Sequence, residues 1–482
     1  MQILTFMGEL MDLNQWMVLA MFLGFIYLLF RGIPVAYALV GISLIFIVIG
    51  EFILDPNRRI IEEFIEYDRV RLTYQRLAAV GGRFFGGTIN NPVLVALPMF
   101  IFMGLMLDQS GVAQRMMRSM QVLFGAVRGG LALSVMLIGI ILAASTGVIG
   151  ASVVLLGVMG IPTMLEQKYN SPVAAGTVAA SGTLGILIPP SIMLVIMSDQ
   201  LAISLGDLFM GALLPGLLLG GLYVVYLIIY GLLNPSAMPL PEDREPVSMK
   251  IIGEVALSVL PPFSLIMLVL GSIFFGFATP TEASGLGALG ATLLALFSKN
   301  LNMPVFKEVM MQTLKTSGYI VGIFITASFF AFVLRRYGGD EIIEGIVLGS
   351  FESPYMVVGF ILFIIFCLGF LLDWIEITLI IMPLMLPVIQ SLELAVNGFG
   401  VVGDPSVVWF AILVAVTLQT SFLTPPVGFA LFYLKGVCPP EVTLGHIYRG
   451  VIPFVLLQLF GLGLVFAFPA LTTWLPAVAY GN

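Results

Sequence analysis

The chain is poor in charged residues. Only 10% of its 482 residues are Asp, Glu, Lys or Arg, whereas 60% are hydrophobic. Water-soluble domains carry about a quarter charged residues, so this composition excludes an ordinary soluble protein. The formal net charge of −7 argues against nucleic acid as a partner. A β-barrel is not indicated either, because the apolar residues form long runs and not short alternating segments.

Histidine and cysteine are almost absent. The single histidine, His446, excludes a His-rich metal site, and Cys367 and Cys438 lie far apart in or beside apolar runs. We therefore expect packing cysteines and no disulfide framework. The chain also lacks a Walker A loop, a G-x-G-x-x-G motif in a βαβ setting and an H-E-x-x-H motif. We expect no catalytic residues, no enzyme activity and no cofactor, and without a P-loop the chain cannot itself hydrolyse ATP in the usual way.

Long uncharged runs recur along the whole sequence. A hydrocarbon core of about 30 Å requires about 20 apolar residues per helix. The clearest runs of this order are 14–30, 33–50, 84–107, 129–165, 171–198, 208–234, 255–281, 316–334, 353–372, 405–434 and 450–482, with shorter ones at 283–298 and 377–392. This pattern predicts an all-α polytopic membrane protein.

The N-terminal segment shows no cleavable signal and no basic residue. Glu9 and Asp12 precede the first span and Arg31 follows it. The positive-inside rule therefore places the N-terminus outside the cytoplasm.

Two polar segments divide the chain. Segment 55–83 carries many charges, and its apolar residues recur at roughly helical spacing, which predicts an amphipathic helix at the membrane surface. A solvated loop helix without a special role is the alternative. Segment 234–250 combines prolines with charges and is predicted to be a polar linker. It lies near the midpoint of the chain, a position typical of transporters built from two related halves.

A weak internal repeat supports two such halves. Pro189 and Pro190 in the first half, and Pro425 and Pro426 in the second, each follow a stretch rich in small or hydroxyl residues. Upstream lie apolar segments 129–165 and 353–391, and the first, with 37 residues, would span about 55 Å as one helix, nearly twice the hydrocarbon thickness.

We therefore predict two inverted-topology repeats, each with a re-entrant helical hairpin followed by a broken helix. The predicted domains are N-terminal scaffold spans at 1–54, a first repeat at 84–233 with its hairpin at 129–165 and broken helix at 171–198, and a second repeat at 251–482 with its hairpin at 353–391 and broken helix at 405–434.

The Pro-Pro breaks have the chemistry of an ion site. Proline removes a backbone donor and leaves carbonyl groups without partners, which in lipid costs several kcal/mol each unless they face protein, water or an ion. Neutral hydroxyl oxygens stand beside both breaks, at Ser181, Thr183, Thr420, Ser421 and Thr424. Such oxygens suit an alkali cation, while helix N-termini at a break can face an anionic substrate. A sodium site in each half is the resulting hypothesis; a simple kink is the alternative.

Asp373 and Glu376 stand within a stretch that is otherwise uncharged from 353 to 392. A carboxylate in hydrocarbon costs about 2.5–3.5 kcal/mol, so both are expected to face water or protein. For Asp373, cation binding and a water-exposed turn are both open.

Four motifs in a fixed order resemble a known family. They are SGTLGILIPPS at 181–191, ATPTEA at 278–283, the segment 372–387 and TPPVG at 424–428. From about residue 14 to its C-terminus the chain resembles the large membrane (M) subunit of tripartite ATP-independent periplasmic (TRAP) transporters. The resemblance implies an elevator-type importer of the ion-transporter superfamily, driven by sodium as coupling ion, which carries organic acids across the bacterial inner membrane. It also implies a periplasmic solute-binding protein and a small four-helix membrane subunit, here a separate chain, as partners.

The resemblance further implies two sodium sites that frame the substrate. The first would involve Gly150, Ala151, Ser152, Ser181, Gly182, Thr183 and Gly185; the second would involve Asp373, Trp374, Ile375, Gln419, Thr420, Ser421 and Thr424. Many members have Gly-Ser-Ser at the first hairpin tip, where this chain has Gly150, Ala151 and Ser152. The long segment 55–83 resembles the subgroup associated with 2-oxo acids, mannitol or chloroaromatic acids. A stand-alone sodium/carboxylate symporter and a non-transporting membrane scaffold or sensor are the alternatives.

Overall fold

The computed structural model describes residues 13–50, 82, 91–125, 127–146, 149–241, 248–349 and 351–480. These residues are almost entirely helices, turns and short loops, with no β-strand among them. The expectation of an all-α protein is therefore confirmed. Apart from Gly82, the predicted surface helix at 55–83 lies outside the described residues, as do residues 1–12.

In the first half, the helices on either side of the Pro-Pro pair are short, and the helix before the polar linker is long. They are α1 (Leu13–Phe30), α2 (Val35–Val48), α3 (Pro92–Gln109), α4 (Val112–Phe124), α5 (Gly130–Thr146), α6 (Ile149–Glu166), α7 (Ser171–Thr183), α8 (Ile192–Gln200) and α9 (Leu205–Leu233). A 3₁₀ turn, Leu184–Ile186, continues α7. The first predicted hairpin thus consists of α5 and α6, which pack against each other.

The second half follows the polar segment that separates α9 from the next helix. Its helices are α10 (Met249–Phe274), α11 (Pro280–Phe297), α12 (Met303–Arg336), α13 (Gly339–Gly349), α14 (Pro354–Leu368), α15 (Trp374–Ser391), α16 (Pro405–Leu423), α17 (Phe429–Val437), α18 (Leu444–Ala467) and α19 (Ala470–Tyr480). Within the predicted second hairpin segment a turn occupies 369–373, and Trp374 begins α15.

The ATPTEA motif forms the N-terminus of α11. Thr279 is the N-cap of α11, and its hydroxyl accepts a hydrogen bond from the Glu282 backbone N–H at 3.3 Å. The Glu282 carboxylate in turn accepts from the Thr279 backbone N–H at 2.8 Å. Pro280 occupies the first turn, where its missing N–H costs nothing. The motif therefore forms a capping box and fixes where α11 begins.

Seven of the described helices are long and apolar enough to cross a membrane, namely α6, α9, α10, α12, α15, α16 and α18. The bent pair formed by α3 and α4, with 53° between its helices, would add an eighth span. Large aliphatic and aromatic side chains remain exposed along these helices, as a lipid-facing surface requires. The chain is a polytopic membrane protein, as its composition indicated.

The chain forms two compact units that are interleaved in sequence. The first contains 1–91, 318–360 and 375–393; the second contains 92–317, 361–374 and 394–482. Within the first unit, α1 packs on α2 and α13, and the Tyr337 hydroxyl donates to the Phe46 carbonyl at 2.6 Å. Within the second unit, α7 packs against α5, α6 and α18, and α16 is buried from Val407 to Leu423. The segments that carry both Pro-Pro pairs therefore belong to one unit.

Candidate functional site

The first Pro-Pro pair lies in a fully buried gap between two helices. After α7 and its 3₁₀ turn, the chain passes through Pro189 and Pro190, joined by a cis peptide bond, before α8 begins. The Ser191 hydroxyl donates to the Ile186 carbonyl at 2.6 Å and so satisfies one carbonyl at the gap. Every residue from 173 to 198 is buried. The broken backbone is thus enclosed by protein, as a membrane interior demands.

The second Pro-Pro pair is more open. It lies between α16 and α17, and the Pro425–Pro426 bond is also cis. Pro426 and Val427 are exposed, whereas the preceding helix is buried up to Leu423. The two breaks therefore differ in access: the second reaches the surface of its unit and the first does not.

Four of the five hydroxyl groups beside the two breaks donate to carbonyls of their own segment, whereas Ser421 donates to the Phe366 carbonyl at 2.9 Å. Thr183 donates to the Ala180 carbonyl at 2.9 Å, and Thr420 donates to the Val416 carbonyl at 2.8 Å. Ser181 and Thr424 form bonds of the same kind, to the carbonyls of residues 178 and 420. A hydroxyl has one donor and two acceptor lone pairs. With the protons committed, these oxygens keep acceptor capacity that a cation can use.

Tight packing joins the first break to the helices of the preceding hairpin. A Cβ added to Gly139 of α5 would stand 2.8 Å from the Ser181 hydroxyl oxygen. A Cβ added to Gly182 would stand 3.0 Å from the backbone N and Cα of Val153, which follows Ser152 in α6. No larger residue fits at either glycine without movement of a helix. The structure thus brings Ser181 against α5 and Gly182 against α6.

A cavity of about 370 Å³ lies between the start of α6 and the turn that ends at Asp373. Its lining residues all belong to the second unit and are Ile149, Gly150, Ala151, Val154, Asp373, Trp374, Phe429 and Tyr433. The resemblance assigned Gly150 and Ala151 to one ion site and Asp373 and Trp374 to the other, whereas here all four line one space. Ile375 and Ser152 are buried and are not among the lining residues. Gly185 lies in the buried 3₁₀ turn.

Two aromatic residues of α17 complete the cavity and were missed by sequence reasoning. Phe429 and Tyr433 stand four residues apart, one helical turn, directly after the second Pro-Pro pair. A Cβ added to Gly150 would approach the Tyr433 ring to 3.3 Å, so the ring lies over the hairpin tip. Their spacing behind the break was the signal that could have found them.

Asp373 gives the cavity its electrostatic character. Among the described lining residues it is the one carboxylate, and none of them is Lys, Arg or His. Its Oδ1 accepts a hydrogen bond from the Trp374 backbone N–H at 2.8 Å, which caps the start of α15. Three residues later, Glu376 is 1% exposed and accepts from the Tyr319 hydroxyl at 3.1 Å, within the other unit. The two carboxylates therefore have different surroundings: Asp373 lines a cavity and Glu376 faces protein.

Gln419 lies in a buried polar cluster together with Tyr223 of α9 and Gln458 of α18. All three side chains are buried, and both amides interact with the Tyr223 hydroxyl. None of these polar atoms completes a hydrogen bond of ordinary geometry with another described residue. Tyr223 and Gln458 were not predicted; for Gln458 the signal was a single amide side chain in an otherwise apolar run. The cluster places the residue before Thr420 in contact with two neighbouring helices.

The chain matches a protein family over most of its length. The model of the family described as "Tripartite ATP-independent periplasmic transporter, DctM component" matches residues 22–471. The C4-dicarboxylate TRAP transporter large permease protein DctM of Pseudomonas aeruginosa is 31% identical over 81% of this chain and 87% of its own length. The sialic acid TRAP transporter large permease protein SiaM of Vibrio cholerae is 26% identical over 95% of this chain and 98% of its own length.

The chain is also similar to a longer permease and to a transporter of known structure. The isethionate TRAP transporter permease protein DctMQ of Oleidesulfovibrio alaskensis is 28% identical over 81% of this chain, which spans 58% of that protein. The crystal structure of the Alcanivorax borkumensis YdaH transporter matches with a TM-score of 0.55 and 13% identity, over 82% of this chain and 89% of that one. At that identity the likeness shows the fold alone, a transporter fold. The chain belongs to the DctM family of TRAP transporters, and it is a membrane permease component and not an enzyme.

Proposed function

We propose that this chain is the permease of a sodium-coupled importer of organic acids. The observation that carries the proposal is the cavity shared by the start of α6 and the turn before α15, with Asp373 as its acidic residue. A volume of about 370 Å³ lies in the range of small-molecule sites.

Charge supports the coupling to sodium. An organic anion in this cavity would lie near the Asp373 carboxylate, and like charges repel strongly where water is scarce. A bound cation removes that repulsion. The hydroxyl oxygens of Thr183 and Thr420 and the carbonyls freed at the Pro-Pro pairs are hard-oxygen ligands that suit sodium. Cation and anion would then bind together, which is the requirement for symport.

The names of the relatives support an organic acid as the substrate class. They denote C4-dicarboxylates, sialic acid and, for a large permease of Escherichia coli that is 24% identical over 78% of this chain, 2,3-diketo-L-gulonate. Within this class, a 2-oxo acid is the substrate that the long segment 55–83 favours.

We also propose partners, a transport mechanism and a cellular location for this chain. The family is tripartite, and the name DctMQ covers a longer permease. We therefore place this chain with a small membrane subunit and a periplasmic solute-binding protein, in the bacterial inner membrane, with its N-terminus in the periplasm. Both Pro-Pro segments and the cavity belong to one compact unit, which fits an elevator cycle in which the site moves as one body.

Reconstitution tests the proposal. The chain and its small membrane subunit are placed in liposomes, and the binding protein is added with radiolabelled succinate, pyruvate or sialic acid. We expect uptake of one of these acids that requires both the binding protein and an inward sodium gradient. A potassium gradient of the same size is the control.

Two outcomes would overturn the proposal. Uptake by the chain without a binding protein would show a stand-alone symporter. Absence of uptake in every arm, while the binding protein demonstrably binds its acid, would favour a scaffold or sensor.

A further inference from the structure

A second cavity, of about 520 Å³, lies in the second unit between α4, α10 and α11. Its polar lining residues are Arg115, Arg118, Ser119, Glu254, Ser258 and Ser298. Leu257, Leu294 and Phe297 form its apolar side. None of these residues belongs to the candidate transport site, and the cavity therefore needs an explanation of its own.

Helix α4 has the features of a helix at a membrane surface. It follows the apolar α3 after a bend of 53°. One face, with Val112, Met116 and Met120, is buried, whereas Arg115 and Arg118 are exposed on the other. A basic amphipathic helix of this kind lies in the interface between lipid headgroups and hydrocarbon.

The cavity carries a positive charge. The Arg115 Nη2 donates to the Ser298 Oγ at 2.6 Å, while Arg118 forms no hydrogen bond or ion pair with any residue that the structure describes. Glu254 is the one acidic lining residue described, and its carboxylate lies 4.0 Å from the Lys250 ammonium, so that lysine offsets its charge. Two guanidinium groups one turn apart provide the paired donors that phosphate oxygens prefer.

The hydroxyl groups of the cavity suit the glycerol part of a lipid headgroup. Ser119 and Ser258 donate to the carbonyls of Arg115 and Val255, so their oxygens can accept hydrogen bonds from a ligand. A glycerol headgroup supplies such donors. The Ser298 oxygen accepts from Arg115, which leaves its own proton for a phosphate oxygen.

The apolar side decides between a free phosphate and a lipid. Leu257 is 75% exposed and Phe297 is 77% exposed beside the arginines. Inorganic phosphate would leave both side chains uncovered, whereas an acyl chain would cover them. We propose that this cavity binds an anionic phospholipid with a glycerol headgroup, with its phosphate at Arg115 and Arg118 and an acyl chain along Leu257 and Phe297.

Native mass spectrometry of the purified permease with its small subunit tests the proposal. Dioleoyl-phosphatidylglycerol and dioleoyl-phosphatidylcholine are titrated onto the wild type and onto Arg118→Gln. Arg118 has no described partner, so its loss leaves the fold intact; the double variant Arg115→Gln/Arg118→Gln is the stronger form. Arg128→Gln is the matched control, because Arg128 is exposed just after α4 and does not line the cavity.

We expect the wild type to retain phosphatidylglycerol in preference to phosphatidylcholine. The double variant should bind phosphatidylglycerol at least about tenfold more weakly, because it loses roughly one charge-assisted interaction. Arg128→Gln should bind like the wild type. Equal retention of both lipids, unchanged binding in the double variant, or displacement by millimolar inorganic phosphate would overturn the proposal. Loss of the small subunit without loss of lipid would show a protein partner there instead. The measurement is lipid binding, so its result does not depend on the proposed transport function.

Discussion

The side chain of Ser421 lies directly against Gly369. A Cβ added to Gly369 would stand 2.5 Å from the Ser421 Oγ and 2.8 Å from its Cβ, and the Ser421 hydroxyl donates to the Phe366 carbonyl at 2.9 Å. The relation repeats in the first half, where Ser181 lies against Gly139. In each case a serine of the helix before a Pro-Pro pair contacts a glycine of the apolar segment upstream. This contact couples the break to the hairpin whose turn lines the cavity.

Alanine at Gly369 should disrupt this contact. Over-packing of a close contact costs about 1–3 kcal/mol, and the shift would displace the turn that carries Asp373. We expect Gly369→Ala to lower sodium-dependent uptake about tenfold or more, since 1.4 kcal/mol corresponds to a factor of about ten. Gly359→Ala in α14, the helix that precedes Gly369, is the control, because its Cβ would meet nothing within 4 Å. Equal uptake by the two variants would show that the contact is not needed.

Valine at Thr420 tests the hydroxyl oxygens as cation ligands. Valine keeps the shape of threonine and removes its oxygen. We expect Thr420→Val to raise the sodium concentration for half-maximal uptake about tenfold, because a charge-assisted contact contributes about 1.5–3 kcal/mol. Thr292→Val removes a hydroxyl that makes the same intrahelical bond in α11 and should leave the sodium curve unchanged. A sodium curve for Thr420→Val that overlays the wild type would rule out this oxygen as a ligand.

Asparagine at Asp373 removes the charge of the cavity and keeps the Oδ1 acceptor that caps α15. Without the carboxylate, a cation loses an attraction of about 1–4 kcal/mol. We expect Asp373→Asn to require at least about tenfold more sodium for half-maximal uptake, with normal membrane insertion. Asp404→Asn, an exposed residue at the start of α16 whose side chain caps nothing, is the control. Unchanged sodium dependence in Asp373→Asn would contradict the electrostatic argument for symport.

Phenylalanine at Tyr319 tests the role of the buried Glu376. The change removes the hydroxyl that donates to a carboxylate that is 1% exposed. Loss of a partner for a buried polar group costs about 1–3 kcal/mol, so we expect a lower melting temperature of Tyr319→Phe in detergent. Tyr37→Phe, at an exposed tyrosine, is the control. A melting temperature equal to that of the control would show that Glu376 is satisfied without Tyr319.

Local sequence rules account for the class of fold and for many helix ends. Uncharged runs indicate membrane helices because a charge in hydrocarbon is costly. The capping box at Thr279 and the proline pairs act within a few residues. Accordingly both Pro-Pro pairs lie between two helices, and within the predicted first hairpin α5 ends at Thr146 and α6 begins at Ile149.

Which residues share a site was decided by the tertiary structure. Gly150 and Asp373 are more than 200 positions apart and line one cavity, together with Phe429 and Tyr433. Tyr223, Gln419 and Gln458 likewise come from three helices. No local pattern encodes such contacts, because they depend on which helix faces pack together. The sequence by itself determined that this protein is an all-helical membrane permease with two broken helices; packing alone decided that the start of α6 and the turn before α15 border the same acidic cavity.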